Sequence, residues 1–343
     1  MVHPSQPRSG KVRGTAYPVG VNGALPDREV RTFSIALRTR FRGLTVRDGV
    51  LLRGDAGWGE FSPFWDYDDD ESTAWLRAAL EAADLGWPDP VRDSVPVNVT
   101  IPAVDAVTAH RLVTGSGGCR TAKVKVAERG QDVGQEIARL EAVRDALGPS
   151  GAIRIDANAG WDLETAIVRL PLLDRAAGGL EYAEQPVASI ADLAVLRRAG
   201  SVLIAADESI RRAADPLAVV RAQAADVVVL KVQPLGGVRA CLELAEQVGL
   251  PVVVSSALET SVGLAAGIAL AAALPELPYA CGLATAQLFA ADVVASPLLP
   301  ADGAIAVRRP DPDPALMAAC AAPDDVRSRW ASRLENVWGR VSL

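Results

Sequence analysis

Apolar positions recur along this chain with two different periods. From Val97 to about residue 282, short apolar runs that read as strands alternate with stretches whose apolar residues fall three and four apart, which read as helices. The strand runs lie at 97–101, 121–126, 153–157, 180–184, 202–206, 227–231, 252–255 and 279–282. The helical stretches lie at about 104–114, 133–147, 163–175, 189–199, 215–222, 238–248 and 261–274. Eight strands joined by helical crossovers predict an α/β fold, a parallel (β/α) barrel. A doubly wound open sheet is the competing layout, but no glycine-rich phosphate loop follows the first strand.

The pattern upstream is different. Arg31–Leu37 alternates and reads as a strand, and Arg38-Thr-Arg-Phe-Arg-Gly43 reads as a basic loop. Gly54-Asp-Ala-Gly57, between Leu51–Arg53 and Trp58–Phe61, signals a hairpin. The acidic run Asp66 to Glu71 reads as the solvated start of a helix from about Ser72 to Leu85, where acids suit the helix dipole. Residues 1–30, rich in Pro, Gly, Ser and basic residues without periodicity, are expected to be a disordered extension. A small α+β domain is expected over 31–93 and the barrel over 94–298. Residues 299–343, helical over about 323–337, are expected to pack back on the small domain.

Composition narrows the function. The 343 residues are half hydrophobic, ample for two domains. A net charge of −7 without any basic run or aromatic–basic pattern argues against a nucleic-acid partner. The longest apolar run, Val262 to Leu274, contains two glycines and is too short to span a bilayer. There is no evident signal peptide. Cys119, Cys241, Cys281 and Cys320 show no CxxC spacing and read as free thiols of a cytoplasmic protein. His3 and His110 cannot make a multi-histidine metal site. A monomer without membrane or nucleic-acid partners is expected.

Chemistry gathers where the strand runs end, which in such a barrel is the active-site face. Asp156, Glu184 and Asp207 end three successive strands, and Lys125 and Lys231 end the strands on either side. These ends fall between 23 and 31 residues apart, one strand–helix unit each. Three hard oxygen donors suit Mg²⁺. Taken singly, each acid could equally be a helix cap or a strand-end ion pair. Lys123 leaves the same face as Lys125, because strand side chains alternate. It could lower the pKa of a catalytic lysine by like charge or contact a carboxylate. An outward or ion-paired lysine is the alternative.

The set Lys123-Val-Lys125, Asp156-Ala-Asn158, Glu184-Gln-Pro186, Asp207-Glu-Ser209 and Lys231-Val-Gln233 resembles the enolase superfamily, and within it the muconate-cycloisomerase subgroup. Gly57-Trp-Gly-Glu60 is similar to that superfamily's capping domain. The resemblance covers about residues 31 to 340. It implies a capped β/α barrel, Mg²⁺ on Asp156, Glu184 and Asp207, and Lys125 and Lys231 as the acid/base pair with Lys123 supporting. Arg38–Thr45, Trp58–Phe64, Val97–Pro102 and Cys281–Thr285 resemble actinobacterial o-succinylbenzoate synthases of that subgroup. That implies dehydration of a dicarboxylate substrate in menaquinone biosynthesis. N-succinylamino-acid racemase and muconate cycloisomerase are the alternatives within the subgroup, and a non-catalytic binding barrel is the alternative outside it. Arg40 in the basic loop, Ser255 and Ser256 after the seventh strand, and Gly282 and Leu283 at the eighth are the candidates for holding substrate.

Overall fold

The computed structural model describes residues 28–200 and 202–341. Within them, β1 (Val30–Phe41), β2 (Leu44–Gly54) and β3 (Gly57–Phe61) pair antiparallel as one sheet. Helix α1 (Ser72–Leu80) follows and ends in a π-helical turn over Glu81–Leu85. After the short β4 (Ser94–Pro96), strand and helix alternate. The series is β5 (Val99–Ile101), α2 (Ala106–Thr114), β6 (Thr121–Lys125), α3 (Val133–Leu147), β7 (Ala152–Asp156), α4 (Leu163–Ala177), β8 (Ala183–Glu184) and α5 (Ile190–Ala199). It continues through β9 (Ile204–Ala206), α6 (Glu208–Arg211), α7 (Ala218–Arg221), β10 (Val227–Leu230), α8 (Val238–Val248), β11 (Val252–Val254) and α9 (Ser261–Ala273). Strand β12 (Ala304–Ala306) pairs with β4, and α10 (Pro314–Ala319) and α11 (Asp324–Val341) complete the chain.

Strands β5 to β11 form a parallel sheet in sequence order. Two further parallel bridges, Val97 to Cys281 and Ser255 to Gly282, place residues 281–282 between β11 and the start of β5 and close the barrel. The apolar runs are buried on both faces, as a helix-wrapped parallel sheet requires. On β10, Val228 and Leu230 join the layer beneath the helices. Val227 and Val229 turn to the lumen with Tyr182, Ala205 and Val253. Lys231 continues the lumen-facing set, because side chains alternate along a strand.

Three sequence expectations change. The basic loop at Arg38–Gly43 is a strand: β1 runs through to Phe41, which pairs with Leu44. Only Arg42 and Gly43 turn, at φ 51° and 78°, the left-handed conformation that a two-residue hairpin needs. Of the extension expected over residues 1–30, all but the last three lie outside the described residues. Those three are placed: Arg28 meets Asp84 at 3.1 Å, Arg53 meets Glu29 at 3.3 Å, and Val30 opens β1. The helix expected at 215–222 shrinks to the single turn of α7, and α6 adds another just after Asp207.

The small domain is stitched to the barrel by carboxylates. Helix α8 begins at Gly237 (φ 128°) with no side-chain cap of its own. Glu81 supplies one from across the seam, accepting from the N–H groups of Val238 (2.5 Å) and Arg239 (3.1 Å). A Cβ at Gly237 would lie 2.3 Å from the Glu81 carboxylate, so only glycine fits. Glu60 does the same for α9, accepting from Thr260 N (3.1 Å), Thr260 Oγ1 (2.5 Å) and Gly263 N (3.2 Å). Helix α11 returns to the small domain, where Trp330, Leu334, Val337 and Trp338 share one core with Phe33, Phe61 and Trp75.

Candidate active site

Strand register builds the site. Lys125 lies opposite Asp156 on β7, and Asp156 opposite Glu184 on β8. Asp207 follows β9 and Lys231 follows β10, so the five charged groups ring one end of the lumen. All are nearly or fully buried. Buried charges persist only when paired, and here each lysine has a carboxylate. Lys125 Nζ donates to Asp156 Oδ2 (2.6 Å) and Asn158 Oδ1 (2.6 Å). Lys231 Nζ donates to Asp207 Oδ2 (2.5 Å). Lys123 sits one layer deeper, 3.3 Å from both Glu184 oxygens, 3.4 Å from Asp156 Oδ2 and 3.5 Å from Ser255 Oγ. It is inward and doubly ion-paired.

The electrostatics are those of crowded charge. Glu184 is pushed up to about 7, by burial first and then by Asp156 and Asp207. Burial acts the same way on Asp156, but Lys125 and Lys123 outweigh it and hold Asp156 well below the usual carboxylate range. Asp207 falls to about 2, because Arg211 and Lys231 overcome its burial. Burial would lower Lys123, yet Glu184 and Asp156 raise it on balance. Lys231 is lowered, by burial first, with Arg211 and Lys123 adding to it against Asp207.

The donor set fits a hard divalent cation. Its three carboxylates stand on adjacent strand ends, and Asp156 and Asp207 add to the burial that raises Glu184, a repulsion that a cation would relieve. As the side chains stand, no three acidic, histidine or cysteine groups among the described residues converge tightly on one point. Lys125 and Lys231 lie across the carboxylate oxygens instead.

Above the ring lies a chamber of about 20 Å³, roofed by Phe41, Arg42 and Phe64 of the small domain. That volume is close to what one water needs, so a substrate must part the roof. Ser255, Ser256 and Gly282 line the chamber, and Ser256 Oγ lies 2.6 Å from Thr285 Oγ1. Two expected residues do not. Arg40 is exposed and lines a separate outer groove of about 410 Å³, which Lys125, Phe41, Arg42 and Asn158 also border. Leu283 is fully buried and turns into the core, where a Cβ at Gly267 would lie 2.7 Å from it. The sequence reading missed Phe41, Arg42, Phe64, Thr285 and Asn158 as lining residues. Alternation beyond Arg40 was the available signal for Phe41.

Gln185, at φ 39°, holds the acids in place: its Oε1 accepts from Asp207 N (3.0 Å) and Ser209 N (3.1 Å). Arg211 lies behind Asp207, with Nε 2.9 Å from Oδ1.

Comparison with known proteins gives the family and the fold. Residues 105–313 match the family described as enolase C-terminal domain-like, and residues 32–83 the one described as enolase N-terminal domain-like. The chain is 66% identical over 281 residues to an o-succinylbenzoate synthase of Thermobifida fusca, across 82% of this chain and 88% of that protein. It is 51% identical over 301 residues to one of Mycolicibacterium smegmatis, across 88% of this chain and 92% of that protein. Among solved structures, muconate lactonizing enzyme from Pseudomonas putida superposes with a TM-score of 0.70 at 21% identity, over 86% of this chain and 99% of that one. The L-Ala-D/L-Glu epimerase of Bacillus subtilis superposes with a TM-score of 0.69 at 23% identity, over 83% of this chain and 96% of that one. The two structures establish the fold and the two sequences the branch: the chain belongs to the o-succinylbenzoate synthase family of the enolase superfamily.

Proposed function

We infer that this protein is a Mg²⁺-dependent o-succinylbenzoate synthase, a hydro-lyase of menaquinone biosynthesis acting in the cytoplasm. Its substrate is 2-succinyl-6-hydroxy-2,4-cyclohexadiene-1-carboxylate and its product 2-succinylbenzoate. The observation that carries the reading is the pair of buried lysines on opposite walls of a three-carboxylate ring, in a chain 66% identical to a synthase of that name. A magnesium ion on Asp156, Glu184 and Asp207 would supply Lewis-acid stabilisation of the charge that builds on the ring carboxylate. Lys125 removes the α-proton beside that carboxylate and returns it, as acid, to the departing hydroxide. Both bonds break on one face, so one acid/base suffices. Lys231 keeps its proton on the other face and offers a fixed positive charge to the enolate. Lys123 holds Asp156 and Glu184 from below. Phe41 and Phe64 close the chamber against water.

The segment Gly282-Leu-Ala-Thr285 at the eighth strand position carries no acid, and the polar side chain it brings to the chamber is the Thr285 hydroxyl. An α-ammonium would find no counter-charge there, which favours a dehydratase over an amino-acid epimerase. The test is the ultraviolet change as substrate is converted to the aromatic product, with and without Mg²⁺. Turnover that requires the ion is expected. Absent or metal-independent turnover would refute the reading.

A further inference from the structure

The two lysines are joined by a second route that does not pass through substrate. Lys125 Nζ donates to Asn158 Oδ1 (2.6 Å), and Asn158 Nδ2 donates to Glu208 Oε1 (3.2 Å). Arg211 donates to the same Glu208 oxygen (2.6 Å) and, through Nε, to Asp207 Oδ1 (2.9 Å). Asp207 Oδ2 takes Lys231 at 2.5 Å. The remaining Arg211 nitrogen donates to the Tyr67 hydroxyl of the small domain. Local structure makes this possible. Glu208 and Arg211 are three apart on α6, and Asp207 and Arg211 four apart, so Arg211 reaches both acids.

We propose that Glu208, held by Arg211, is a positioning residue that fixes the aim of Lys125 through Asn158. The reasoning is one of obligate donors and acceptors. An ammonium only donates and a carboxylate only accepts. An amide between them therefore has one stable orientation, oxygen to Lys125 and nitrogen to Glu208. Without Glu208 the Asn158 amide nitrogen loses its anchor, and the side chain can swing its oxygen away from the position that aims the Lys125 ammonium. The Asn158 backbone is already committed, at φ 45° with its N–H on Asp156 Oδ1 (3.0 Å), so the amide can answer only by rotating. Glu208 does not touch the reacting atoms. Its Oε2 is buried and has no hydrogen-bond partner among the described residues, so the side chain is held by its other oxygen alone.

The inference rests on the dehydratase reading, and the assay separates the two. The unchanged protein with Mg²⁺ is compared with Glu208→Ala, Glu208→Gln, Asn158→Ala and the double alanine variant. Misplacing a base by a fraction of an ångström costs rate rather than binding. Glu208→Ala is expected to lower kcat ~30-fold, with KM and the activating Mg²⁺ concentration within ~3-fold. With substrate deuterated at the α-carbon, its primary isotope effect should rise as proton transfer becomes slower. Glu208→Gln keeps an acceptor oxygen for Asn158 and should recover to within ~3-fold of the unchanged kcat. Asn158→Ala should show the same signature, and the double variant should be no worse than the poorer single, since both act through one link. An unchanged kcat, a loss carried by KM or Mg²⁺ with an unmoved isotope effect, equal damage in Gln and Ala, or additive losses would each overturn the proposal. No turnover by the unchanged protein would instead refute the dehydratase reading.

Discussion

The two walls of the site hold the same residue type in unlike surroundings. Lys125 has two acceptors, lies 5.5 Å from the centre of the Phe41 ring, and borders both the inner chamber and the outer groove. Lys231 has one carboxylate, is backed by Arg211 on Asp207, and borders the chamber but not the outer groove. Behind it lies the sealed seam where Glu60, Glu259 and Arg47 are all buried. A group that takes a proton and hands it to a departing hydroxide must face the space through which water leaves, and a fixed countercharge need not. The contrast supports Lys125 as the moving partner and Lys231 as the stationary one.

The strongest way to break this contrast is to remove each lysine. Lys125→Ala and Lys231→Ala should each lower dehydration kcat by ~10³–10⁴. The arginine variants should differ: Lys231→Arg keeps a permanent cation and retains more activity than Lys125→Arg, which cannot release a proton. If Lys125→Arg proves the better enzyme, the roles are reversed.

Next are the carboxylates between the walls. Asp156→Asn, Glu184→Gln and Asp207→Asn each replace an anionic donor with a neutral one. Each should weaken Mg²⁺ binding, measured by calorimetric titration, and cut turnover ~10²-fold or more. Normal turnover at limiting Mg²⁺ would remove that residue from the set.

Reaction preference sharpens the comparison further. Racemisation needs both lysines to change protonation, whereas dehydration needs one. On a single preparation, kcat/KM for dehydration should exceed that for racemising an N-succinyl amino acid by at least ~100-fold, about 2.7 kcal/mol. Parity between the two would mean that both walls exchange protons.

The smallest effect tests the sealed side. Glu60 is raised from 4.5 to about 7 by burial, with Glu259 adding to it. The folded state therefore holds that proton more tightly than the unfolded chain. The resulting stability is fully present below pH 4.5 and is lost as pH rises through about 7. Thermal melts should show Tm falling between pH 5 and 8, and Glu60→Gln should flatten that fall by ~2–4 °C. An identical slope in both proteins would place the titration elsewhere.

Much of this was legible because strand periodicity carries it. The lysine pair and the three acids sit at the ends of apolar runs, and alternation alone turns them into one lumen. The two candidates that do not line the chamber came from the same rule applied one residue out. Arg40 and Leu283 are each one position from a chamber residue, Phe41 and Gly282, and a shift of one reverses the face. Charge also misled: Arg38 and Arg40 looked like a loop, although they lie on the exposed side of β1 and only Arg42 belongs to the turn. The Glu208–Arg211 link was hidden for another reason. It depends on the single turn of α6, four residues whose composition does not announce a helix. Contacts across the seam, such as Glu81 on α8, join residues 157 apart in the chain, and no local pattern signals them.

Glu81 meeting Gly237 also says how this protein can be recombined. A boundary drawn at residue 93 looks like a clean splice point, but the polypeptide on each side is unfinished without the other. A barrel transplanted under a foreign cap would carry an α8 whose first amides face the seam unmatched, unless the newcomer brought an acid to that spot. A barrel with any side chain at position 237 would in turn reject this cap on contact, since its Cβ would fall within the carboxylate. Acid and glycine thus work as a compatibility code between modules, and chimaeras that keep both members together are the ones expected to fold.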